Sequence, residues 1–140
     1  FFLSFSLIII VCMVHNRYIM NLNKEDLVIK EATDWLKKSE YKNRKIYYLH
    51  PYVSLGLELD CFDRNTNGEL WGLNPEHPEN DVPSKSILLW DAHFGPNEGN
   101  IKLEYLLNNP SFVLFNKFVP EKEFTVLGGK KFEVYIFERK

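Results

Sequence analysis

The chain has 140 residues, of which 45% are apolar and 15% aromatic, and its 17 Lys+Arg and 19 Asp+Glu give a net charge of −2. Because the two signs of charge are interspersed and no basic stripe is present, the composition argues against nucleic acid as a partner. The length and the apolar content suffice for one domain with its own hydrophobic core.

The chain opens with an uncharged apolar run over residues 1–14. Fourteen residues of α-helix span about 21 Å, which is short of the ~30 Å hydrocarbon core of a bilayer. We therefore expect residues 1–20 to be the end of a truncated transmembrane helix, with Arg17 and Tyr18 at the membrane interface. A buried core element and the remnant of a signal peptide are the alternatives, although no basic residue precedes the run.

Residues 21–140 are expected to form one soluble α/β domain. Its first element is an amphipathic helix over 24–38, with Asn23 as the N-cap. A short strand over 46–49 follows, and the helix-like apolar spacing of 52–62 predicts a second, short helix.

The remaining chain alternates between polar loops and apolar segments. The predicted elements are a long loop over 63–86 with a brief strand at 68–71, a central parallel strand over 86–91, a helix over 100–108, a strand over 112–115, and a hairpin of 124–127 with 132–137 around two glycines. Together they predict a small mixed sheet with flanking helices and a C-terminal β-hairpin.

One segment partly matches a calcium-binding loop. Asp63, Asn65, Asn67 and the following glycine reproduce its D-x-N-x-N-G opening, but Asn74 stands where the bidentate glutamate belongs. The alternative is an Asx-rich turn whose side chains bind their own backbone. The sequence therefore predicts a metal ligand set here only weakly.

A second cluster follows the predicted central strand and contains Asp91, His93 and Glu98. The carboxyl ends of strands are where open α/β sheets bind ligands, so His93 and Glu98 are candidates for a base or for metal ligands. His50 ends the first strand, and we expect it at the same edge, near His93. The alternative is structural: Asp91 and Glu98 cap the next helix, and His50 is a hydrogen-bonded strand end.

Several segments together have a familiar order. After the apolar run and the first helix come His50-Pro51-Tyr52, then the segment ILLWDAHFGPNEG over 87–99, then NPSF over 109–112, and finally VYIFE over 134–138. The chain thereby resembles the C-terminal soluble region of bacterial multi-spanning glycosyltransferases that use polyprenyl-phosphate sugars. This superfamily includes the protein O-mannosyltransferases and the lipid-A aminoarabinose transferases.

The resemblance implies an extracytoplasmic, periplasmic domain of a bacterial inner-membrane enzyme. Its partners would be membrane lipid and the rest of the parent protein, whose donor would be a polyprenyl-phosphate sugar. The family's catalytic acid lies in the first extracytoplasmic loop, so the resemblance implies no catalytic residue and no cofactor in this chain. Two other hypotheses are a membrane-tethered module that binds a glycan or a protein, and a small hydrolase or metal enzyme centred on Asp91 and His93.

Overall fold

A computed structural model describes Val11 and residues 22–140 of the chain. Apart from Val11, the predicted membrane helix over 1–20 lies outside the described residues. Within the described part, no helix is both long enough and apolar enough to cross a bilayer. The described fold is mixed α/β, with a five-stranded sheet and flanking helices.

The elements of residues 22–140 follow one another in this order: α1 (Lys24–Lys38), β1 (Ile46–Tyr48), α2 (Pro51–Leu57), β2 (Asn67–Glu69), β3 (Ile87–Asp91), α3 (Phe94–Asn97), α4 (Leu103–Leu107), β4 (Phe112–Phe118) and β5 (Val134–Arg139). Single turns of 3₁₀ helix lie at Pro78–Asn80 and Leu127–Gly129. The strand order across the sheet is β2-β1-β3-β5-β4. β1 is parallel to β2 and β3, whereas β5 is antiparallel to β3 and β4.

The two faces of the sheet carry separate hydrophobic clusters because side chains alternate along each strand. One face packs against α1 through Val28, Ile29, Ala32 and Leu36, and receives Ile46, Ile87, Leu89, Val134 and Ile136 from the strands. The other face receives Tyr47, Leu88, Trp90, Tyr135 and Phe137, and is covered by Leu70, Val82, Ile101 and Leu106 from connecting segments. Every strand of the sheet centre is therefore buried on both sides.

Helix α1 confirms the prediction for 24–38 residue by residue. The Asn23 side chain accepts a hydrogen bond from the Asp26 backbone N–H at 2.8 Å, which caps the first turn. The first turn is acidic and the last turn is basic, so its charges also favour the helix dipole. This capped end becomes one wall of the candidate site.

The predicted C-terminal hairpin is wrong in its pairing. Residues 124–127 form no strand, and only a single bridge joins Thr125 to Lys131. β5 instead pairs with β4 on one side and with β3 on the other. An apolar β5 gains more from burial in the centre of the sheet than from a two-stranded hairpin at its edge.

Three other predictions needed correction. The helix predicted over 52–62 is shorter, Pro51–Leu57, and ends at Glu58, whose φ of 57° is left-handed. β3 is central, but it is parallel only to β1, because its other neighbour β5 runs antiparallel. The helix predicted over 100–108 is shorter, Leu103–Leu107, and a separate turn of helix, α3, precedes it. Asn100 between them has φ 54°, a left-handed conformation that interrupts helical continuity.

Candidate functional site

An open cleft of about 470 Å³ lies where the first turn of α1 meets the ends of β1 and β3. We call it the histidine cleft. Its lining residues are Asn23, Glu25, Asp26, His50, Pro51, Tyr52, Leu55, His93 and Phe94. Three separate parts of the chain therefore build it: the start of α1, the β1–α2 junction and the β3–α3 junction.

Glu25 and His93 form a direct polar contact between distant parts of the chain in the histidine cleft. His93 Nδ1 lies 2.8 Å from Glu25 Oε2. An ionised carboxylate is only an acceptor, so His93 Nδ1 carries the proton and donates a hydrogen bond to Glu25. In the neutral ring the lone pair of Nε2 is then available, and the His93 side chain is 29% exposed. This geometry makes His93 a proton acceptor or a hydrogen-bond acceptor at the cleft.

His50 occupies the opposite tautomer. Its Nδ1 accepts a hydrogen bond from the Tyr52 backbone N–H at 3.2 Å, which caps α2, so the proton of the neutral ring is on Nε2. Nε2 lies 3.8 Å from Glu25 Oε2 and 3.9 Å from Asp26 Oδ1. The same Glu25 oxygen is therefore close to both histidines.

Burial lowers the pKa of His50, whose residue is only 5% exposed. The charges of Asp91, Asp26 and Glu25 oppose this by favouring the protonated ring, while the neighbouring His93 lowers the pKa further. Burial is the largest of these effects, so the neutral Nε2–H form is favoured.

Asp91 lies beneath the histidine cleft and is completely buried. Its Oδ1 accepts hydrogen bonds from the backbone N–H groups of His93 at 3.0 Å and Phe94 at 2.8 Å. Its Oδ2 is buried and has no hydrogen-bond partner among the described residues. Burial raises the pKa of this carboxyl, against the lowering effect of the two backbone donors and of His50. Asp91 thus orients the 93–94 turn.

The structure brings together three of the four predicted site residues and leaves one out. His50 and His93 line the histidine cleft, and Asp91 supports its floor. Glu98 is exposed at the C-terminal end of α3 and does not line the cleft. The β3–α3 turn points Asp91 inward at its start and leaves Glu98 at its far end.

Sequence reasoning missed Glu25 and Asp26 as site residues. Both stand in the first turn of α1, where acids are expected simply to favour the helix dipole. Glu25 and His93 are 68 positions apart, and no local pattern links them. The available signal was the coincidence of an acidic helix start with two histidines at strand ends, in a fold where these ends share one edge.

The histidine cleft offers a hydrogen-bond donor at His50 Nε2 and an acceptor at His93 Nε2, next to two carboxylates. Its described lining contains no serine, threonine, cysteine or lysine, so the groups it could use in covalent chemistry are carboxylates, imidazoles and the Tyr52 hydroxyl. Among residues 22–140, no group of three or more His, Cys, Asp or Glu is arranged to hold a metal. A metal on His50 Nε2 would also need a proton on Nδ1, where Tyr52 already donates one.

The calcium-like segment folds as the Asx-rich turn. Asp63 Oδ1 accepts hydrogen bonds from the backbone and the side-chain nitrogen of Asn65, each at 3.0 Å, and Thr66 donates to Asp63 Oδ2 at 3.1 Å. The backbone N–H of Asn65 is the main reason that the pKa of Asp63 is lowered. Asn67 is buried and donates to the Asp60 carbonyl. The oxygens of Asp63 therefore already serve the turn itself.

A second cleft, of about 440 Å³, lies at the carboxyl ends of β1 and β2, and we call it the tryptophan cleft. Trp71 is 74% exposed at its side. Arg64 and Glu69 form an exposed ion pair at 3.2 Å beside it. The full lining is Tyr48, Leu49, Pro51, Ser54, Cys61, Arg64, Asn67, Gly68, Glu69 and Trp71.

Comparisons of the chain with protein-family models, with curated proteins and with solved structures gave no match.

Proposed function

We propose that the chain is the membrane-proximal, extracytoplasmic C-terminal domain of a bacterial inner-membrane glycosyltransferase that uses polyprenyl-phosphate sugars. In this proposal the domain carries no catalytic step and covers the active-site cavity or contacts the acceptor. The observation that carries it is the uncharged apolar run over 1–14, joined by a short connection to an α/β fold.

The geometry of the histidine cleft supports this role. Nine peptide steps separate Val14 from Asn23, which lines the cleft, and nine residues of extended chain reach at most about 32 Å. A chain anchored by residues 1–14 therefore keeps the cleft close to the bilayer. The cleft supplies hydrogen-bond donors and acceptors at His50, His93 and Glu25, which suits contact with a polar substrate group.

The reading frame upstream of Phe1 tests the parent assignment. We expect about six or more further apolar segments of about 20 residues each, since a helix needs a segment of that length to span the bilayer. Fewer segments would contradict the proposal.

A functional test compares membranes that carry the full reading frame with membranes in which residues 22–140 are deleted. With a radiolabelled polyprenyl-phosphate sugar, we expect transfer to be lost on deletion, and the 140-residue chain alone to show none. Undiminished transfer after deletion would exclude a role of the domain at the active site. An immunoblot controls for equal amounts of the two proteins.

A second candidate function, glycan binding, is favoured by the exposed ring of Trp71. Indole faces stack on the apolar faces of sugars, and the adjacent Arg64–Glu69 pair offers a donor and an acceptor for hydroxyl groups. A titration of the ¹⁵N-labelled chain with methyl mannoside, maltose and chitobiose tests this. We expect shifts in resonances around Trp71, absent in Trp71→Ala but retained in Phe62→Ala, a matched control that is 86% exposed outside the cleft. No shift with any sugar would refute it.

A further inference from the structure

Four exposed aliphatic side chains surround the first turns of α1. These side chains are Leu27 (51% exposed), Leu55 (69%), Val119 (52%) and Leu127 (60%). We call them the apolar rim. The other large apolar side chains that residues 22–140 expose lie elsewhere, at Phe62, Trp71, Leu107 and Leu114.

Leu27 and Leu55 lie at the start of α1 directly, whereas Val119 and Leu127 are placed near it by neighbouring groups. Leu55 lines the histidine cleft together with Asn23. Leu27 lines a groove of about 270 Å³ between α1 and the β4–β5 connection, and Pro120, next to Val119, lines the same groove. The Leu127 carbonyl accepts a hydrogen bond from Asn97 at 3.3 Å, in the same turn that holds His93 against Glu25.

The apolar run over 1–14 indicates what covers this rim. It ends nine peptide steps before Asn23, at the same end of α1 that the rim surrounds. When that run is in a bilayer, the connection holds the rim at a high effective concentration beside the lipid surface. Under that condition a few aliphatic side chains suffice for docking, because an anchored domain loses little further translational freedom when it contacts the lipid.

The charges around the rim favour a zwitterionic lipid surface. The groove beside Leu27 contains Lys24 and Lys122, but also Glu31 and Glu121. These four charges balance, and Glu25 and Asp26 beside Leu55 add negative charge, so the rim does not attract anionic lipid and is better suited to a zwitterionic surface. Contact is therefore expected to come from the aliphatic groups and to depend little on salt.

We propose that the apolar rim is a bilayer-docking surface that seats the domain, with its histidine cleft, against the membrane. This inference rests on the proposed membrane attachment through residues 1–20. It goes further by assigning the face of the domain that meets the lipid and the side chains that enter it.

The test uses the full 140-residue chain in phosphatidylcholine vesicles, with Cys12→Ser and Cys61→Ser as background. A single cysteine that carries an environment-sensitive fluorophore replaces Leu27 or Leu127, and Leu107→Cys is the matched control, since Leu107 is 49% exposed on the distant helix α4. We expect a blue-shifted emission at 27 and 127 that spin-labelled lipid quenches, and water-like emission at 107. The shift should persist in 0.5 M salt, a concentration chosen to shorten the screening length to less than about 5 Å.

The outcomes separate the two proposals. If the chain floats with the vesicles but positions 27 and 127 report water, the docking surface is refuted and the membrane attachment stands. If the chain does not float, both are refuted. If the emission at 27 and 127 shifts with protein concentration in detergent without vesicles, a second copy of the chain covers the rim, and the lipid assignment is refuted.

Discussion

The histidine cleft and the tryptophan cleft are of similar volume, about 470 and 440 Å³, and Pro51 lines both. They differ in how their polar groups are satisfied. In the histidine cleft, His50 caps α2, His93 donates to Glu25, and Asp91 holds two backbone N–H groups. In the tryptophan cleft, Trp71 and the Arg64–Glu69 pair face solvent.

The two clefts therefore differ in how much their polar groups are expected to contribute to the stability of the fold. Groups that satisfy buried backbone donors are expected to matter for folding, because removing them leaves those donors without partners. Groups that face solvent are expected to matter little for folding and are free to bind a ligand. Substitutions of buried groups and of solvent-facing groups should therefore differ in their effect on the free energy of unfolding.

Gly68→Ala should destabilise the pair of strands beside the tryptophan cleft. A Cβ on Gly68 would overlap the ring of the buried Tyr47, and both residues are held in paired strands that leave the ring little room. We expect a loss of about 3 kcal/mol in the free energy of unfolding, measured by urea denaturation. Gly72→Asn is the control, since Gly72 has φ 85° with open space around it, and asparagine tolerates that conformation at a cost below about 1 kcal/mol. Equal losses in the two variants would contradict the packing argument.

Asp91→Ala should lower the free energy of unfolding by about 2 kcal/mol, because the N–H groups of His93 and Phe94 at the histidine cleft lose their acceptor. Asp91→Asn keeps an acceptor oxygen and removes a buried charge, so we expect its loss to stay below about 1 kcal/mol. Thermal and urea unfolding of both variants measure this. If asparagine were as damaging as alanine, the carboxylate itself, and not its role as an acceptor, would be required.

His50 should make the stability depend on pH. Since its folded-state pKa lies below the ordinary value near 6.5, the unfolded chain takes up a proton first, and stability falls as the pH decreases from about 6.5 toward the folded-state pKa. Asp91 acts oppositely, because its raised pKa favours the folded state in acid, and that contribution is lost as the pH rises above about 4.

The matched variant is His50→Asn, since asparagine still accepts the Tyr52 N–H at the helix N-cap but does not titrate. We expect nearly unchanged stability at pH 8 and, between pH 7 and pH 5, a decrease smaller than the wild type's by on the order of 1 kcal/mol. Urea denaturation at each pH provides the values. Parallel pH profiles for the two proteins would show that His50 is not the group that titrates.

Trp71→Ala should have the smallest effect on folding. The ring is 74% exposed, and we expect the free energy of unfolding to change by less than about 0.5 kcal/mol. Loss of saccharide binding with unchanged stability would identify the tryptophan cleft as a binding site. If urea denaturation instead showed a loss of more than about 1 kcal/mol in the free energy of unfolding, Trp71 would be a packing residue. The two clefts would then differ less in how their residues contribute to stability.

The sequence predicted the elements whose signals are local. Helix α1 was predicted from its cap and apolar stripe, and β3 from a continuous apolar run. The position of β5 could not be predicted, because its apolar pattern fits an edge hairpin as well as a central strand. The turn at 63–67 was identified as an Asx turn in one of two interpretations, since the hydrogen bonds of Asp63 lie within a few residues.

By itself the sequence determined the amphipathic helix over 24–38 and the buried strand that the structure bounds at Ile87–Asp91, and it named His50, Asp91 and His93 as candidate site residues. Only the tertiary structure decided that Glu25 joins them, that Glu98 does not, and that the four aliphatic side chains of the apolar rim surround one end of α1. The physical reason is that helix caps and periodicities depend on neighbours a few residues away. Contacts such as Glu25 with His93 depend on the strand order that brings distant parts of the chain to one edge of the sheet.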